Sequence, residues 1–218
     1  MKLKTLDDLK TLMIQLPVLV DSFDDQSTYF CRDLKVWLTK VEQSLASHRR
    51  AEVGKIAGLR ADVVSAELGV WRENAYHIDP GLVEKKRGVK KKIARAISGQ
   101  VLNQAQEIVS KVIDPLESVV AEAKHVINQL LLLAVQNGVV DNEQLNNSGA
   151  YKDIWVAMVQ NVELRPGTQK VLSLVSIPEA LCLIGDVLDE WQKQAKTEQY
   201  QHSSPPNLTV LPGTDKTQ

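Results

Sequence analysis

Residues 97–136 decide the fold of this chain, and they read ISGQVLNQAQ EIVSKVIDPL ESVVAEAKHV INQLLLLAVQ. Ten intervals between apolar residues span 36 positions, so the mean spacing is 3.6 residues. This is the period of a straight α-helix and not the 3.5 of a sustained coiled coil. The stripe consists of Ile97, Val101, Ala105, Ile108, Val112, Leu116, Val119, Ala123, Val126, Leu130 and Leu133.

The stripe keeps its phase across Asp114-Pro115, which two separate helices would have no reason to do. Asp79-Pro80 is a strong helix start, with aspartate as the cap and proline in the first turn. Asn137-Gly138 is a reasonable stop. The sequence therefore predicts one helix from about residue 80 to 136, kinked at Pro115 and roughly 80 Å long at 1.5 Å per residue.

The rest of the chain also has helical periodicity, and no stretch alternates apolar and polar residues for long enough to predict a strand. Ser176-Ile177-Pro178-Glu179 has the pattern of a capping box that opens a final helix. We expect an all-α fold, an elongated helical bundle over residues 1–140 built on the long helix. A smaller C-terminal helical subdomain over residues 141–199 packs on it, and residues 200–218 form a disordered tail.

Composition excludes several classes of protein. The chain has 218 residues, a formal net charge of −1, 44% hydrophobic and 24% charged residues. These values exclude a wholly disordered chain and a collagen-like fibre, and two cysteines exclude a disulfide-stapled mini-protein. No signal peptide or transmembrane segment is evident, so a soluble cytoplasmic protein is expected.

No motif predicts a cofactor, a metal or a small-molecule substrate. The chain contains no P-loop, GxGxxG, HExxH or GxSxG pattern. Glu122-x-x-His125 has the spacing of di-iron helical bundles, but such sites need a second pair and further carboxylates. We therefore expect neither a metal nor a cofactor.

Charge is distributed unevenly along the chain. Residues 1–100 hold 18 basic and 13 acidic side chains, whereas residues 101–218 hold 8 and 14. Most of the excess lies in residues 85–95, where cations sit near the positive end of the predicted helix dipole. This segment predicts contact with phosphate groups of nucleic acid or an anionic surface, or alternatively a solvated helix end or a dock for an acidic neighbour. The candidate phosphate-binding residues are Lys85, Lys86, Arg87, Lys90, Lys91, Lys92 and Arg95.

The segment from Arg72 to His77 has the spacing Arg-x4-His. Over these six residues it resembles the active-site signature of the HEPN ribonucleases, which are small all-α dimers. The resemblance implies that Arg72 and His77 act on an RNA phosphodiester. The position departs from the family pattern, in which the motif lies on the last helix of the domain.

The long apolar stripe suggests a function in association. A helix of this length needs partners along all of it. Two or three of the shorter helices could cover one side end to end; otherwise part of the stripe is buried in another chain, because an uncovered stripe is a liability in a monomer. We expect a non-enzymatic interaction or scaffold protein, a subunit of a cytoplasmic assembly or a homo-oligomer, with Val126, Leu130, Leu131 and Leu133 in the interaction face. The alternatives are a nucleic-acid-binding accessory protein that uses residues 85–95, and a HEPN-like ribonuclease.

Overall fold

The computed structural model describes residues 1–72, 74–79, 81, 88–147 and 149–202. This part of the chain is helical throughout, without a strand, so the predicted all-α fold is confirmed. The helices are α1 (Lys2–Met13), α2 (Leu16–Asp24), α3 (Phe30–Ser47), α4 (Val53–Glu67), α5 (Val89–Gln136), α6 (Asn142–Asn146), α7 (Tyr151–Gln160), α8 (Arg165–Leu174) and α9 (Ile177–His202).

The long helix α5 has 48 residues and spans about 72 Å. It continues through Pro115 and ends at Gln136, as the periodicity predicted. The predicted start at residue 80 was wrong, because Gly88 has a φ of +92° and therefore cannot continue a right-handed helix. Glycine adopts this left-handed conformation without steric cost, so it separates α5 from the preceding segment.

Two hydrophobic clusters lie along α5. The first is formed by α1 to α4 together with α5 as far as Leu116. The second begins at Ala123 and is formed with α7, α8 and α9, while Val120 packs against both clusters. The long helix thus belongs to both cores. The domain boundary near residue 140 remains a prediction. The tail was predicted to begin at residue 200, but α9 continues to His202, and residues 203–218 lie outside the described residues.

Helix α8 lies antiparallel to the end of α5. The side-chain amide of Asn137 donates to the Glu163 carboxylate at 2.9 Å, and the Lys170 ammonium pairs with the Glu122 carboxylate at 2.7 Å. Between these contacts Gly167 packs so closely on Leu130 that a Cβ there would lie 2.5 Å from the leucine Cδ2. The other side of α5 carries α9, since Trp191 donates its indole N–H to Asn128 at 2.8 Å.

Glu179 joins the start of α9 to the start of α1. Its carboxylate is only 2% exposed and accepts the backbone N–H of Ser176 at 3.0 Å and of Leu3 at 2.9 Å. The Ser176 hydroxyl donates to the same carboxylate at 2.6 Å. The predicted pairing of Ser176 with Glu179 is therefore present, with the Ser176 hydroxyl as donor to the Glu179 carboxylate. The same carboxylate also binds the first turn of α1 through Leu3.

Glu179→Gln should destabilise the protein at neutral pH, by about 1–3 kcal/mol, because three donors would lose a charged acceptor. Burial opposes ionisation of Glu179, but its hydrogen bonds from Ser176 and Leu3 lower its pKa below the ordinary 4.5. A carboxylate with a lowered folded-state pKa stabilises the fold fully above its unfolded value and loses that contribution as the pH falls. The difference between wild type and variant, measured by urea unfolding, should therefore shrink below pH 4.5. A difference that stays constant or grows in acid would contradict this role.

Candidate functional site

The predicted interaction face on α5 is largely covered by the chain itself. Leu130 and Leu131 are buried in the second cluster, and Val126 is partly buried against it. Only Leu133, with 45% of its surface exposed, remains open. The prediction that Leu130 and Leu131 face a partner is therefore corrected, because both are buried in the second cluster with residues of α7, α8 and α9. This part of the stripe is covered by the chain itself and gives no support for association.

Arg95, at the end of the basic segment, serves the first core. Its guanidinium donates to the carbonyl oxygens of Ser22, Phe23 and Ser27, at 3.3 Å for Ser22 and 3.2 Å for Ser27. Ser22 and Phe23 lie in the last turn of α2, where carbonyl groups have no partner within the helix. Their carbonyl groups also accept the backbone N–H of Ser27 at 3.0 Å and of Gln26 at 3.2 Å, so Arg95 supplies a second donor to each. The same guanidinium lies 5.1 Å from the ring centre of Phe23 and 5.8 Å from that of Phe30. Arg95 therefore caps α2 and is not free to bind phosphate as its main role.

Lys90 lies against the C-terminal end of α4. The Gly69 N–H bonds to the carbonyl of Ala66 and the Val70 N–H to that of Ser65, which ends α4 in a Schellman motif. The Lys90 ammonium lies 3.3 Å from the point where Gly69 would carry a Cβ. A cation is favourable at a helix C-terminus, so Lys90 also has a role within the fold.

Lys91 and Lys92 are exposed and line an open cavity of about 460 Å³. The cavity lies between the α2–α3 connection, the end of α4 and the first turns of α5, and Thr28 and Glu67 also line it. Lys85, Lys86 and Arg87 lie outside the described residues. Of the four described basic candidates, two thus contact neighbouring elements of the chain, and Lys91 and Lys92 face solvent.

The structure separates the roles of Arg72 and His77. The Arg72 guanidinium pairs with Asp62 at 2.5 Å, and this carboxylate also accepts the hydroxyl of Tyr76 at 2.5 Å. Burial, and then the hydrogen bond to Asp62, raise the pKa of Tyr76 far above its ordinary value. The backbone of His77 is held by Gln100, which accepts its N–H at 2.9 Å and donates to its carbonyl at 2.6 Å. Arg72 is thus held at α4, while the backbone of His77 is tied to α5.

The residues of the Glu122-x-x-His125 spacing have other partners. Glu122 pairs with Lys170, and a ring nitrogen of His125 contacts the side-chain amide of Gln129 at 3.0 Å. Within the described ranges, no group of three His, Cys, Asp or Glu side chains is placed to hold a metal ion.

A groove between α2 and α3 was not predicted from the sequence. Its volume is about 300 Å³, and the buried side chains Leu19 and Trp37 lie at its base. Val18, at 69% exposure, and Val36, at 51%, line it. Ile14 precedes the groove residue Gln15 and is 76% exposed.

The sequence does contain a signal for this groove. The buried stripe of α3 includes Trp37 and Leu38, and Val36 lies on the opposite, solvent-facing side of the helix. A large apolar residue on an otherwise polar face indicates either a contact or a scattered surface residue. The choice requires knowledge of the neighbouring helix, which periodicity does not supply.

By length and composition alone, α5 is apolar enough to cross a membrane. Core helices of soluble proteins meet the same criterion, and α5 packs against two cores, so this property is weak support for a membrane span. The cytoplasmic location remains a prediction.

Comparison with known proteins supplies no family for this chain. No protein family model matches the sequence, and no curated protein or solved structure matches it either.

Proposed function

We propose that this protein is a non-enzymatic interaction protein, a subunit of a larger assembly, that receives a helix of its partner in the groove between α2 and α3. The observation that carries the proposal is the exposure of Val18 and Val36 on the two sides of that groove. Apolar side chains grouped around a concave surface are typical of protein interaction sites. Because the groove lies between two helices that are already ordered, binding would not cost the free energy of ordering a loop at the site.

Charge at the rim of the groove suggests the chemistry of the occupant. Asp33 and Lys40 lie on α3 two turns apart, with Val36 between them, and both side chains line the groove. The Asp33 carboxylate is already paired with Arg32 at 3.0 Å, so Lys40 is the charge left for a partner. A partner helix with apolar residues facing Val18 and Val36 would therefore be best accommodated with an acidic residue near Lys40. Such complementary charges set orientation and association rate more than affinity.

Val18→Lys combined with Val36→Lys should abolish recovery of the partner, because two ammonium groups would have to be desolvated in an apolar contact. The measurement is a pull-down with tagged full-length protein, compared with Val64→Lys as the matched control. Val64 is 40% exposed on α4, outside this groove. The expected result is one stoichiometric protein recovered by the wild type and by the control but not by the double variant.

Three outcomes would contradict the proposal. The first is a partner retained by the double variant, and the second is loss that is equal in the Val64→Lys control. The third is light scattering that shows a self-associated wild type and a monomeric double variant, which would make the occupant a second copy of this chain. Circular dichroism of each variant verifies that the helices remain folded.

The two alternatives have weaker support. Nucleic-acid binding through residues 85–95 has weaker support because the guanidinium of Arg95 is hydrogen-bonded within the fold. Ribonuclease activity at Arg72 and His77 would require Arg72 to leave its ion pair with Asp62.

A further inference from the structure

The cavity beside the start of α5 has the charge and size of a small-ligand site. Its volume of about 460 Å³ is within the range of small-molecule pockets. Its polar lining comes from three separate places, namely Thr28 in the α2–α3 connection, Glu67 at the end of α4, and Lys91 and Lys92 on α5.

The surroundings of the cavity leave it cationic. Among the described residues that line it, the one carboxylate is that of Glu67, which is paired with the Lys35 ammonium at 2.5 Å, and this offsets its negative charge. Arg95 also lines the cavity, and its hydrogen bonds to neutral carbonyl groups leave its full positive charge in the wall. In the described part of the lining, three cations therefore face one neutralised acid.

The backbone adds to this charge. The backbone N–H groups of Lys91 and Lys92 both donate to the carbonyl oxygen of Gly88. They therefore belong to the first turn of α5. The N-terminus of a helix carries a partial positive charge that favours anions. Here it acts together with two lysine side chains at the edge of the same cavity.

We propose that this cavity binds a phosphate-bearing small molecule. The ammonium groups of Lys91 and Lys92 bind the phosphate oxygens, and the hydroxyl of Thr28 donates a further hydrogen bond. Arg95 contributes fixed positive charge from the wall. A small molecule fits better than a nucleic-acid backbone, because the site is concave and the neighbouring cation Arg95 is held by hydrogen bonds to the end of α2.

The experiment is calorimetric titration of the full-length protein with inorganic pyrophosphate at low ionic strength, with a mixed-sequence DNA duplex as a second titrant. The expected result is saturable binding of one pyrophosphate per chain. Lys91→Gln combined with Lys92→Gln should weaken it by at least about tenfold, because two charge-assisted hydrogen bonds are lost. Lys152→Gln, an exposed lysine on α7, is the matched control and should leave the affinity unchanged.

Backbone amide chemical shifts of the wild-type protein, measured by NMR with and without pyrophosphate, locate the binding site without any variant. Pyrophosphate should shift the backbone amides of Thr28, Lys91 and Lys92 and leave those of α7 in place. Absence of saturable binding would overturn the proposal, as would equal weakening in Lys152→Gln or shifts confined to other regions. Duplex that binds through Lys91 and Lys92 and displaces pyrophosphate would also overturn it, since the ligand would then be a nucleic acid.

Discussion

Leu131→Ala should lower the free energy of unfolding by about 2–5 kcal/mol, the range for truncating a fully buried leucine. Leu131 is fully buried in the second cluster, where α7, α8 and α9 pack on α5. Removing its side chain leaves a cavity that the surrounding helices can only partly fill, so contacts are lost in addition to the burial of apolar surface.

The matched control for this prediction is Leu133→Ala, two residues further along α5. Leu133 is about half exposed, and its truncation should change the free energy of unfolding by no more than about 1 kcal/mol. Urea unfolding followed by circular dichroism measures both values. A smaller loss for Leu131→Ala than for Leu133→Ala would restore the interpretation of Leu131 as part of an intermolecular face.

Arg95→Met should destabilise the protein by about 2–3 kcal/mol. Methionine keeps much of the aliphatic stem, so the loss reports mainly the guanidinium. Three carbonyl groups at and after the end of α2 would lose one of their two donors, since each also accepts a backbone N–H. The contacts with Phe23 and Phe30 would lose their cation.

Lys92→Met is the control for this second prediction, because it removes a positive charge from the same segment at an exposed position. We expect it to change the free energy of unfolding by less than about 0.5 kcal/mol. A loss confined to Arg95→Met would show that the guanidinium stabilises the fold, whereas the positive charge of Lys92 does not. Similar losses in the two variants would show that Arg95 does not cap α2.

The sequence predicted α5 well because the periodicity of a helix is local. The stripe from Ile97 to Leu133 contains its own phase, and Pro115 does not disturb it. The start of the helix was less predictable, since Asp79-Pro80 is a good start signal, whereas glycine is permitted in helices as well as in left-handed turns. The conformation of Gly88 depends on the backbone around it, and its residue type alone does not determine it.

The candidate sites show where sequence reasoning ends. Seven basic residues in residues 85–95 indicated one electrostatic role, but the structure gives the described members different neighbours: α2 for Arg95, α4 for Lys90, and an open cavity for Lys91 and Lys92. A run of basic residues in the sequence does not show which helix C-termini will lie beside it in the folded chain. The α2–α3 groove was missed for the same reason, because Val18 and Val36 are 18 positions apart in the chain.

By itself, the sequence determined the all-α class, the long central helix and the absence of alternating strand patterns, all of which follow from residue spacing over a few helical turns. Only the tertiary structure decided which side of α5 is covered, that Arg95 caps another helix, and that two exposed valines flank one groove. These features depend on contacts between helices distant in the chain. Burial and charge neutralisation are properties of such contacts, so residue types in one segment do not specify them.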